Sequence, residues 1–175
     1  TTFGLIFTMA QHLGVNATQG VVWILLGMVV GGGFGTYLAK RVEMTKMPEL
    51  VAFMHSMVGL AAVFIAIAAV AEPWAFGIAE RGEAIPLGNK IELFLGSAIG
   101  AITFSGSVIA YGKLSGKYKF RLFQGAPVVF AGQHKLNLVL GLVIIALGAY
   151  FAATGNWTAF IVLTALAFVI GVLII

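Results

Sequence analysis

The sequence predicts an all-α integral membrane protein: a bundle of about five transmembrane helices, preceded by a short N-terminal apolar segment. Three observations carry that expectation. Hydrophobic residues make up 61% of the 175 and charged residues only 9%, whereas a soluble domain carries about 25% charged residues. Five apolar runs are long enough, or nearly so, for the roughly 20 residues that cross a hydrocarbon core. The segments between the runs alternate in charge. The same composition excludes a disordered chain, which needs low hydrophobicity and high net charge. A net charge of +4 does not point to nucleic acid, because the basic residues are scattered between apolar runs and form no basic face. The chain has no cysteine, which removes disulfides, thiolate metal sites and cysteine nucleophiles.

The elements follow in order. Thr1–Leu13 is apolar but too short to span; it is either an interfacial piece or the remainder of a span that begins earlier. The first span covers about Gly20–Ala39 and holds two overlapping small-xxx-small repeats, Gly27-Met-Val-Val-Gly31 and Gly31-Gly-Gly-Phe-Gly35. Such spacing lets helix backbones approach closely, replacing the hydrophobic driving force that lipid does not supply. The second span is Pro48–Val70. The third, Ile91–Leu114, carries a further repeat, Gly96-Ser-Ala-Ile-Gly100. The fourth runs from Leu136 to Ala153 and the fifth from Trp157 to Ile175. At 1.5 Å per residue all five can cross. The last run has no polar flank at Ile174–Ile175, so residues 1–175 are expected to be one transmembrane domain from a longer chain.

Loop charge sets the orientation. Lys40, Arg41 and Lys46 lie between the first and second spans; Lys113, Lys117, Lys119, Arg121 and Lys135 lie between the third and fourth. The segment Ala71–Lys90 instead holds Glu72, Glu80 and Glu83 against Arg81 and Lys90. The positive-inside rule places the two basic loops on the cytoplasmic or matrix side, and Trp74 and Trp157 then fall at the outer boundary. No signal peptide is visible, since the first run lacks a basic leader and a small-residue cleavage pattern.

Ionisable and polar groups inside spans are the candidate functional residues. In the second span Ala52, His55, Gly59, Ala62, Ala66 and Ala69 share one face, and Phe53, Met57, Leu60, Phe64 and Ile67 lie opposite. The small face is expected to meet other helices, which points His55 into protein. It is either a proton-relay group, being the side chain type that titrates near neutrality, or a histidine held by a backbone carbonyl. In the third span Asn89, Glu92, Gly96, Gly100, Thr103, Ser107 and Ala110 fall within roughly 80° of one another. From Glu92 to Ser107 is about 22 Å, most of the hydrocarbon thickness. This stripe is either a proton pathway facing the bundle interior, or a packing face whose hydroxyls bond back to carbonyls of their own helix. The opposite side holds Phe94, Ile102 and Ile109, with Ser105 as its polar member. The fourth span repeats the pattern weakly with His134, Asn137, Gly141 and Gly148, and His134 beside Lys135 reads as interfacial. His12 has no helical context. The three histidines show no metal-ligand spacing, no serine sits in a hydrolase motif, and Gly31–Gly35 has neither dinucleotide nor phosphate-loop register.

Several stretches together resemble the beta subunit of proton-translocating NAD(P) transhydrogenase. They are Val42-Glu-Met-Thr-Lys-Met-Pro-Glu-Leu-Val-Ala-Phe-Met-His-Ser-Met-Val-Gly-Leu-Ala-Ala-Val63, Phe94-Leu-Gly, Gly100-Ala-Ile-Thr-Phe-Ser-Gly-Ser107, Tyr111-Gly-Lys-Leu-Ser-Gly116 and Gln133-His-Lys-Leu-Asn-Leu138. They occur in the family's order, and the resemblance covers about Val22 to Ile175. It implies a membrane domain that couples proton movement to hydride transfer from NADH to NADP⁺. NAD and NADP are then bound by soluble partner domains, with none on this chain. The implied partners are other transhydrogenase subunits and those domains, in a dimer of the full complex. The implied location is the bacterial inner membrane or the mitochondrial inner membrane. Some relatives carry a proton-transferring histidine six residues before the leucine of Phe-Leu-Gly; here that position is Asn89, which does not exchange protons. Either Asn89 orders water while Glu92 or another subunit titrates, or protons enter elsewhere. Two other classes remain open from the residues: a secondary transporter or ion-channel subunit, and a membrane anchor that conducts nothing.

Overall fold

The computed structural model describes residues 17–116 and 131–175, and the N-terminal segment with His12 and the basic residues Lys117, Lys119 and Arg121 lie outside them. Among the described residues five α-helices follow one another: α1 (Ala17–Arg41), α2 (Met47–Ala71), α3 (Leu87–Ser115), α4 (Gln133–Thr154) and α5 (Trp157–Leu173). Short 3-10 turns at Met44–Lys46 and Pro73–Phe76 precede and follow α2, and there is no strand among the described residues.

Local chemistry accounts for the boundaries. Pro48 stands in the first turn of α2, where its missing N–H removes nothing from the helix ladder. Glu49 in the same turn complements the positive end of the helix dipole. Gly116 closes α3 at φ 60°, and Gly155 closes α4 at φ 69° with its N–H on the Phe151 carbonyl at 2.7 Å. Asn156 then caps α5 by accepting from the Ala159 N–H at 3.2 Å. The α4–α5 hairpin therefore turns in two residues, both suited by type to their place.

Helices α1 to α4 are each long and apolar enough to cross a membrane, and the chain is an integral membrane protein. The fifth, with 17 residues, rises about 25 Å, at the lower end of the range that crosses a bilayer. It is nonetheless central. Helix α3 packs against α2, α4 and α5, and α5 packs against α3 and α4. One core cluster joins Val63, Ala98, Ala101, Ile144, Ala167 and Ile170; a second joins Ala66, Phe151, Ala159, Phe160 and Leu163. Helix α1 contributes no buried residue over Gly20–Arg41.

The direction of each helix follows from its contacts. Phe53 meets Tyr111 ring to ring at 5.9 Å, so α2 and α3 run antiparallel. Ser97 bonds to Thr164 and Lys113 to the Ile175 carbonyl, so α3 and α5 run parallel. Gln133 donates to the Leu173 carbonyl, which makes α4 antiparallel to α5. Lys46, Lys113 and Lys135 thus share one end of the bundle, and the loop with Glu72, Glu80 and Glu83 occupies the other. Trp74 and Trp157 sit at that acidic end, as the aromatic-belt pattern requires.

Candidate functional site

A close backbone approach joins α2 and α3. A Cβ placed on Gly59 would lie 2.6 Å from the Phe104 nitrogen and 2.7 Å from the Gly100 oxygen. One placed on Gly100 would lie 2.8 Å from the Gly59 oxygen. Only two glycines permit this backbone contact, and it fixes how both helices are rotated. Three further glycines serve the other contacts: Gly171 faces Ser105 and the Ile102 backbone, Gly106 faces the Gly171 backbone and Ile175, and Gly148 lies under the Phe94 ring.

That rotation corrects two expectations. His55 does not point into the described bundle. It is exposed, and its Nδ1 donates to the Val51 carbonyl at 2.8 Å, which leaves Nε2 facing outward. Ser56 takes the inward position instead, with its hydroxyl on the Phe53 carbonyl at 2.7 Å. The buried face of α2 is Ser56, Gly59, Val63, Ala66 and Ala69, turned by about 30° from the expected face, with which it shares Gly59, Ala66 and Ala69. That small turn is enough to put Ser56 inside and His55 outside.

The third-span stripe is not the interior face of its helix either. The interior face of α3 is Ser97, Ala98, Ala101, Ser105 and Ile109, all buried. The predicted stripe runs along the edge of α3 beside α2. Gly100 in its middle is buried against Gly59, Thr103 and Ser107 are half-buried, Asn89 is half-buried and Glu92 is exposed. Towards the acidic end this edge opens into a groove of about 320 Å³ between α2 and α3, where Asn89, Glu92 and Gly96 face Ala62, Ile65 and Ala66. The structure therefore brings Asn89 and Glu92 together in one groove. Thr103 and Ser107 continue the same edge further in, and His55 lies on another helix nearer the basic end.

The polar groups that are deepest in the bundle lie outside the predicted stripe. Ser97 and Thr164 bond hydroxyl to hydroxyl at 2.6 Å, and Thr164 also donates to the Phe160 carbonyl at 2.8 Å. Ser105 donates to the Ala101 carbonyl at 2.9 Å. These hydroxyls satisfy one another or their own helix, which is a packing role. The four-residue spacing of Ser97, Ala101, Ser105 and Ile109 was the available signal for this face. On α4, His134 is exposed, whereas the Asn137 side-chain oxygen is buried without a partner among the described residues. Gly31–Gly35 lies within α1, so its amides are committed to the helix ladder and cannot cradle a phosphate.

Together these features define a polytopic helical membrane bundle, joined by glycine contacts, with a polar-edged groove open at its acidic end. The chain belongs to the NAD(P) transhydrogenase beta subunit family, whose model matches residues 1–175. It is similar to the NAD(P) transhydrogenase subunit beta of Rhodospirillum rubrum, at 50% identity over 172 residues. The same subunit from a designated strain of that organism matches equally. The matched region is 98% of this chain and 36% of the relative, so the chain spans just over a third of these relatives' length.

Proposed function

We propose that this chain is part of the proton-conducting membrane domain of a proton-translocating NAD(P) transhydrogenase. In this reading, transmembrane proton movement is coupled to hydride transfer from NADH to NADP⁺. Both nucleotides sit on soluble domains carried by the rest of the complex, as the family resemblance implies. The basic end faces the cytoplasm of a bacterium or the matrix of a mitochondrion, and the groove opens to the other side.

The observation that carries the proposal is the α2–α3 groove, in a chain of this family. A bare proton charge in the low-dielectric core costs several kcal/mol or more, so it must travel along hydrogen-bonding groups or ordered water. Glu92, exposed at the groove mouth, serves as the antenna that collects protons. Asn89 does not titrate but has a donor and an acceptor with which to order water beside Glu92. The absent side chains at Gly96 and Gly100 keep the edge low, and Thr103 and Ser107 carry hydroxyls further towards the basic end. His55 is the remaining titratable candidate, its Nε2 directed towards whatever the complete complex places beside α2.

The test is the complete complex reconstituted in vesicles. Ser107→Leu should block proton-coupled reverse transhydrogenation, yet leave cyclic hydride exchange between bound nucleotides largely intact, because that exchange moves no net proton. Coupled turnover at the wild-type rate in Ser107→Leu would reduce the stripe to packing.

A further inference from the structure

A second groove, on the opposite side of α3, has a different chemistry. It lies between α3 and α4 at the acidic end and measures about 500 Å³. Leu87, Ile91 and Phe94 form one wall and Ile145, Gly148 and Ala152 the other; every lining residue is apolar. From Leu87 to Phe94 the wall extends about 10 Å along the helix axis, a large part of one leaflet's hydrocarbon depth of roughly 15 Å.

At the mouth of this groove stands Lys90, three residues after Leu87 and four before Phe94, hence on the same face of α3. Its ammonium reaches across to the end of α4, 3.6 Å from where a Cβ of Gly155 would lie. It forms no ion pair among the described residues. A basic residue in the first turn opposes the dipole of α3, while the C-terminal end of α4 beside it favours a cation, so a positive charge is held at this point. An apolar trough about two-thirds of a leaflet deep, with a cation at its polar end that has no ion-pair partner among the described residues, matches a lipid that has an acyl chain below and a negative headgroup above.

We propose that this groove holds an acyl chain of an anionic phospholipid, with its phosphate on the Lys90 ammonium. Wide-mouthed contact with small residues on α4 suits a flexible chain, and the single charge selects for the headgroup.

The experiment uses the complete complex in nanodiscs made from equal parts phosphatidylglycerol and phosphatidylcholine, followed by extraction and analysis of the retained lipid. The wild type should retain phosphatidylglycerol over phosphatidylcholine by about fivefold, the worth of one lysine near an anionic headgroup. Lys90→Gln should abolish the preference, and Lys90→Arg should keep it. Ala149→Phe, which fills the groove from an exposed position, should lower retention of both lipids. A photo-crosslinking side chain at position 149 should join to lipid. Crosslinking to another polypeptide of the complex, or equal retention of the two lipids by wild type and Lys90→Gln, would overturn the proposal.

Discussion

Ser105 and Ser107 are two residues apart on one helix and face different surroundings. Ser105 is buried against Gly171 and bonded to its own helix, so Ser105→Ala removes one local bond and little else. Turnover should stay near wild type when both serine variants are assayed side by side, in contrast to Ser107→Leu. The Ser97–Thr164 bond is the interhelical polar contact of α3 with α5. Such bonds in membranes are worth about 0.6 kcal/mol on average and at most about 1.7. Ser97→Ala should therefore lower the stability of the detergent-solubilised complex by that modest amount and leave coupled turnover unchanged; a loss of coupling without a loss of stability would move Ser97 into the pathway. Glu92 calls for the opposite test. Glu92→Gln keeps the shape of the groove but removes the titrating group, and should slow coupled turnover while sparing cyclic exchange.

Among elements, glycine position decides which helix faces meet. Gly59→Val would drive a branched side chain into the α3 backbone, where a single Cβ already comes within 2.6 Å. Overpacking a tight core costs about 1–3 kcal/mol. Backbone cannot step aside as a side chain can, so the loss should reach the upper end of that range, seen as a lower unfolding midpoint. Gly141 has nothing within 4 Å of its would-be Cβ, and Gly141→Ala should be neutral or stabilising by up to about 1 kcal/mol from helix propensity. Equal damage from the two substitutions would mean that the α2–α3 contact is not as close as described. Spacing motifs alone do not separate these cases: Gly96 and Gly100 belong to one small-xxx-small repeat, yet only Gly100 is pressed against another helix. Likewise the two repeats of α1 have open space at every glycine.

For the whole molecule, the alternating loop charge and the helix directions agree on one topology. Lys46, Lys113 and Lys135 are at one end and Glu72, Glu80 and Glu83 at the other. Because these 175 residues contain no cysteine, single substitutions can test this cleanly in a complex whose other cysteines have been removed. A membrane-impermeant thiol reagent applied from one side should label Lys46→Cys and Lys135→Cys together. Glu80→Cys should be labelled only from the opposite side. Labelling of Lys46→Cys and Lys135→Cys from opposite sides would break the proposed arrangement.

The sequence by itself determined the class of fold, the helices to within a few residues at most ends, and their alternation across the membrane. Those properties depend on transfer free energies and local caps, such as Pro48, Gly116, Gly155 and Asn156, which are written along one dimension. It also located Asn89 and Glu92 on one edge of α3, because helical periodicity is enough to say which residues share a face. Only the tertiary structure decided which face turns inward. His55 gave way to Ser56, and the Asn89–Ser107 stripe gave way to Ser97 and Ser105, although size and polarity favoured the other choice in each case. The physical reason is that helix rotation in a membrane is set by packing against all the neighbouring helices at once. The Gly59–Gly100 contact belongs to a pair of helices and to neither sequence segment alone.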